Sequence, residues 1–163
     1  MRTRDEQRAT IKADQQFWLD LAAEVGRDRY DEPGAMGEWT FGDLAGHLLG
    51  WRNRTIARLE AAARGEPDPI ADEPEGEDEV DAVNVQIREN DAGRAAAELV
   101  DAYADSYDRL IRALDALPET TLADPEALPF VGGPLIDVTF TGHLHEEHVP
   151  DVRAWLDGKA ASQ

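Results

Sequence analysis

The sequence contains no cysteine, only two lysines (Lys12 and Lys159) and no long apolar run. Without cysteine there are no disulfides, thiolate ligands or cysteine nucleophiles, so any chemistry must use histidine, carboxylates, hydroxyls or a borrowed cofactor. No stretch approaches the ~18 apolar residues that a bilayer crossing requires, so no membrane partner is expected. The opening MRTRDE leads into no apolar segment of a secretory signal, which makes the cytoplasm the expected compartment. Basic charge is scarce as well: 16 Lys and Arg against 35 Asp and Glu leave a formal charge of -19. Such a chain repels phosphate backbones, so nucleic acid is not an expected partner and a small molecule is.

What is present suffices for a folded domain. Apolar residues make up 42% of 163, enough for one hydrophobic core, and a single domain over residues 1–163 is expected. The acid is unevenly placed. Residues 65–82, GEPDPIADEPEGEDEVDA, carry nine acids, three prolines and no base, which predicts an extended, flexible acidic loop.

Four amphipathic helices are predicted around that loop. In the first, Ile11, Trp18, Leu21, Ala22 and Val25 follow the helical period, with Gly26 as the stop. Thr40 reads as an N-cap with Asp43 in the capping-box position, and Trp39 and Leu44 are placed as a hydrophobic staple. Leu44, Leu48, Trp51, Thr55, Leu59 and Ala62 then share one face of a second helix ending before Gly65. The stretch VNVQIREN predicts one or two helical turns. A third long helix runs from about Gly93 to Leu117 and stops at Pro118. After a proline-rich connection, Asp137 or Thr139 opens the last helix and Gly158 closes it. No stretch alternates with period two, so the fold class is all-α, and helices of this length make a four-helix bundle.

Histidine carries the chemistry. His47 lies in the second helix, and His143, His145 and His148 cluster in TGHLHEEHVPDVRAWL. On an α-helical wheel of ~100° per residue, His145 and His148 share a face while His143 points away and pairs with Glu147. Pro150 lacks the N–H that would bond the Glu146 carbonyl, which predicts an irregularity there. The expected ligands to a divalent metal, zinc or nickel, are therefore His47, His148 and His145. The bland alternative is that the histidines are hydrogen-bonded core residues. Trp39 and Trp51 are placed to wall a cavity near His47, with Leu144, Tyr103 and Tyr107 as further lining candidates. Arg153 is expected to pair with surface acid.

The segment EWTFGDLAGHLLGWRNRTI resembles the second helix of the DinB-like, YfiT-like superfamily, whose Trp-Ser/Thr-x-x-Asp and following histidine are similar to Trp39, Thr40, Asp43 and His47. The closing HLHEEHVPDVRAWL resembles that superfamily's histidine followed by an Ile/Val-Arg-x-Trp-Leu run. Within it, VNVQIREN and the tail look most like the ClbS/DfsB branch, with a weaker resemblance to mycothiol-dependent maleylpyruvate isomerases. The resemblance implies a DinB-like four-helix bundle with a long acidic connection between its second and third helices, in relatives often a homodimer. It implies a metal triad of one histidine on the second helix and H-x-x-x-H on the fourth, or Glu-x-x-x-His in the isomerases. His47 and His148 match the outer positions, but the middle one falls on Leu144, which binds no metal. Either His145 serves from the adjacent position or the site has been lost.

Three functions follow. The first is metal-assisted hydrolysis or thiol transfer in an inter-helix cavity, with a thiol cofactor such as mycothiol. The second, implied by the ClbS/DfsB likeness, is metal-free hydrolysis or sequestration of a reactive cyclopropane-type natural product, using polar groups such as Tyr103, Tyr107, Asn84, His47 and His148. The third is a non-catalytic binding bundle with structural histidines.

Overall fold

Thr3 opens the first helix with a reciprocal cap: its Oγ accepts from the Glu6 N–H, and the Glu6 carboxylate accepts from the Thr3 N–H. The computed structural model describes residues 2–70 and 74–158. Helix α1, Arg4–Val25, buries Ile11, Trp18, Leu21, Ala22 and Val25 as the period requires and ends at Gly26. A short antiparallel hairpin follows, β1 (Pro33–Met36) and β2 (Trp39–Thr40). No strand is expected from the sequence, because two and four residues are too few for alternation to register.

Thr40 caps α2, Phe41–Ala63, with the capping box that the sequence predicts. Along α2, Gly42, Gly46 and Gly50 recur every fourth residue and form one bare stripe. A side chain at Gly42 would run into Ala96 on α4 (Ala96–Asp115), and one at Gly50 would run into Ile87 on α3 (Glu77–Asn90). The stripe lets both helices lie close against α2, and α2 with α4 forms the main helix pair of the bundle.

The acidic segment is thus a loop only in part. From Glu77 it is already helix, because Glu77, Asp78 and Glu79 occupy a first turn whose free N–H groups favour negative charge. VNVQIREN belongs to this 14-residue helix rather than to one or two isolated turns. Residues 71–73 of the predicted loop lie outside the described residues. Nearer α2, the Asp68 carboxylate accepts from Arg58 Nε at 2.8 Å and pins the connection to the helix.

After α4 come a short helix, α5 (Glu119–Ala123), and single 3-10 turns at Pro129–Val131 and Leu135–Asp137. The last helix does not begin at Asp137 or Thr139. Phe140 has φ 59, the sole positive value outside glycine among the described residues, and a left-handed residue cannot continue a right-handed helix. The chain instead enters a π-helical segment, His143–His148, which runs into α6, Val149–Leu156. The core joins these elements: Trp18 stacks on Phe41 at 4.9 Å and meets Tyr103 edge-on at 4.7 Å. Among the described residues, no helix is long and apolar enough to cross a membrane. The molecule is an all-α bundle of DinB-like type with one small hairpin.

Candidate functional site

Three imidazoles meet between α2 and the π segment: those of His47, His143 and His148. Their potential ligand atoms all lie within 4.8 Å of one another. The ring centroids are 4.9, 5.1 and 4.9 Å apart for the pairs 47–143, 47–148 and 143–148, a nearly equilateral triangle. His47 Nε2 and His143 Nε2 stand 3.0 Å apart.

His143, not His145, completes the group. On an α-helix residues five apart diverge by ~140°. The segment is wound as a π-helix, in which an N–H reaches back five residues, as Val149 N–H does to the Leu144 carbonyl, so positions 143 and 148 return to one face. Pro150 favours this geometry, since it has no N–H with which to restore the α-type bond to Glu146. The same winding turns His145 away toward α1, where its Nε2 bonds the buried carboxylate of Asp14 and its ring packs 4.4 Å from Phe17. The sequence signal for this was Pro150 together with the five-residue spacing of two histidines; wheel geometry alone assigned them to opposite faces.

Burial sets the protonation of the triad. His47 and His148 are each 8% exposed, and His143 is half-buried. Burial, followed by the neighbouring imidazoles His143 and His148, pushes His47 down to about 3. Burial and the Arg52 guanidinium bring His143 to about 4, and burial and His143 bring His148 to about 4. All three rings are therefore neutral at pH 7 and present lone pairs. His47 Nδ1 and His148 Nε2 are buried with no hydrogen-bond partner, which ordinarily costs ~1–3 kcal/mol each.

This donor set fits a divalent metal. Two nitrogens on one tetrahedral zinc at ~2.05 Å stand about 3.3 Å apart, close to the observed His47–His143 separation, and the unpartnered His148 Nε2 supplies a third lone pair.

Two cavities adjoin the triad. One of about 230 Å³ lies on the His47 side, lined by Trp39, Asp43, Asn84, Arg88 and Asp91 among others. The other, about 240 Å³, lies on the His143 side, lined by Trp51, Arg52, Thr55, Tyr103, Phe140 and Gly142. Trp39 faces His47 edge-on at 5.9 Å, and Trp51 faces His143 at 6.4 Å, so both tryptophans flank the triad as the sequence suggests. Asn84 accepts from the Trp51 indole N–H at 2.9 Å and fixes that ring. Of the other lining candidates Tyr103 reaches the second cavity, whereas Leu144 is packed in the core and Tyr107 is buried behind Arg52, its hydroxyl donating to Asp14 at 2.8 Å. Arg153 pairs with Glu24 on the surface.

Comparison with known families decides the kinship: residues 12–149 match the model of the mycothiol maleylpyruvate isomerase N-terminal domain. The chain belongs to this family. It is the likeness that the sequence placed second, behind ClbS/DfsB. No curated protein and no solved structure matches the chain significantly. Where the resemblance implies a histidine, Leu144 stands, and the π segment instead brings the imidazole of His143, one residue earlier, beside those of His47 and His148.

Proposed function

We propose that this protein is a metal-dependent enzyme acting on a small molecule, with His47, His143 and His148 as the three protein ligands and thiol transfer as the reaction. The observation that carries the reading is the convergence of three neutral imidazoles, two buried and one half-buried, with His148 Nε2 unpartnered, beside two cavities. The family's mycothiol connection favours thiol transfer over hydrolysis. Zinc or nickel suits an all-imidazole set, and such an ion lowers the pKa of a thiol or water at its open position.

The chain's own residues supply the rest. The neutral state of the three rings removes proton competition at pH 7, and Trp39 and Trp51 flank the rings on two sides. Trp51 is held in place by Asn84, so the wall of the second cavity keeps its shape.

Metal analysis of protein purified without chelator and re-equilibrated with zinc or nickel tests the proposal. One tightly held ion per chain is expected, lost in His47→Ala, His143→Ala and His148→Ala and retained in His145→Ala. A wild-type chain that retains no ion after this treatment overturns it. With cobalt in place of zinc, a small thiol is expected to change the visible spectrum; a silent spectrum would favour hydrolysis.

A further inference from the structure

The cavity on the His143 side holds a cation that the triad does not explain. Arg52 lies five residues beyond His47 on α2 and is 7% exposed. Its guanidinium lies 3.8 Å over the Tyr107 ring and 4.4 Å over the Tyr103 ring. One arm donates to Tyr103 Oη at 2.9 Å and another to Ser106 Oγ at 3.3 Å. Those bonds use two of five N–H donors. Buried charges are ordinarily paired, yet among the described residues no carboxylate forms an ion pair with Arg52. The nearby buried acid, Asp14, is already committed to Tyr107 and His145.

We propose that Arg52 anchors an anionic group, a carboxylate of the small molecule that occupies this cavity, and so sets which molecules reach the histidine triad. The guanidinium is planar, permanently charged and packed against two aromatic rings, so its remaining N–H donors are held in place for bonds to a carboxylate. A local cation is needed here, because a chain with a net charge of -19 repels anions elsewhere. Arg52 and His143 line the same cavity, so one molecule of a few carbons could bond Arg52 through its carboxylate while its reacting atom lies at the triad. The positive charge of Arg52 is also felt at His143, whose proton affinity it lowers. Uncharged analogues leave the guanidinium without a counter-ion and are rejected on that account.

The last link rests on the metal-centre reading; the anion site does not, and the experiment separates them. Succinate is titrated into metal-free full-length protein and followed by NMR and calorimetry, with succinamide and inorganic phosphate as comparison ligands. Succinate is expected to bind, to shift the Arg52 Nε–H and Trp51 indole resonances, and to bind at least about tenfold more tightly than succinamide. Arg52→Gln is expected to abolish this binding, and Arg52→Lys, which keeps the charge but loses the fork, to weaken it. Zinc uptake is measured on separate portions of the same proteins re-equilibrated with zinc and is expected to be unchanged in both variants. Succinate that binds equally with Gln at position 52, that shifts only distant resonances of the wild type, or that binds no better than its diamide overturns the anchor. Phosphate binding that exceeds succinate binding would overturn the carboxylate assignment. Loss of zinc binding alone would remove the metal reading and leave the anchor standing.

Discussion

His143 and His148 are five residues apart in sequence, yet their rings lie 4.9 Å apart on one face of the chain. Only the π winding of His143–His148 reconciles these facts, and π segments of this kind recur at functional sites because they re-aim side chains at the expense of regular hydrogen bonding. Deleting Glu146 should reduce the spacing to four, the natural repeat of an α-helical face. We expect the variant to keep one zinc per chain with an unchanged or raised melting temperature. Loss of zinc with the fold intact, as seen by circular dichroism and metal analysis, would show that the extra residue does more than set register.

His145 belongs to a different network. The Asp14 side chain is 2% exposed and joins His145 to Tyr107, which in turn contacts Tyr103 at 3.3 Å. Asp14→Ala should leave the buried Tyr107 hydroxyl without its acceptor and cost about 2 kcal/mol, read from urea unfolding. Zinc content should not change. A variant of normal stability that had lost zinc would move this network into the metal site.

Much of this arrangement was legible in the residues. The stripes of α1, α2 and α4 carry the helical period, Thr40 and Asp43 announce a capping box, and the wheel positions of His47 and His148 already pointed both rings toward one interior, where they meet. What the sequence did not reveal depended on departures from regular geometry. The place of His143 follows from a winding that no period encodes, and Phe140 in a left-handed conformation delays the last helix. The start of α3 was obscured by composition, since the same acids that suggest a solvated loop also suit a helix N-terminus. The glycine stripe of α2 acquires meaning only beside Ala96 and Ile87, two residues more than thirty positions away.

The triad also predicts how metal-free protein responds to acid. His47 titrates at about 3, and His143 and His148 at about 4, against an ordinary value near 6.5 in the unfolded chain. Between about pH 6.5 and 4 the unfolded chain therefore binds protons that the native chain does not, and stability falls as pH falls through that window. Above pH 6.5 both states are neutral and the dependence vanishes. The expected loss is on the order of 3 kcal/mol per histidine by pH 4, and replacing the three histidines by glutamine should flatten the curve. Urea midpoints measured on metal-free samples at several pH values check this. An equally steep curve in the triple variant would assign the effect to carboxylates instead.

Gly50 links packing to the site. A β-carbon there would collide with Ile87, and α3 is also the helix whose Asn84 holds the Trp51 indole at 2.9 Å. Gly50→Val should push α3 outward, costing about 1–3 kcal/mol as an overpacked core position does. It should also lengthen or break the Asn84–Trp51 bond, freeing the wall of the cavity that contains Arg52 and His143. Gly133→Ala is the matched control, since a β-carbon there meets nothing within 4 Å and no positive φ is involved. The expected result is a lower melting temperature and a shifted Trp51 indole resonance for Gly50→Val, with neither change in the control. If the melting temperature fell while the indole resonance stayed in place, α3 would be supporting the bundle without shaping the cavity, and the rigidity ascribed to Trp51 would have to come from α2 alone.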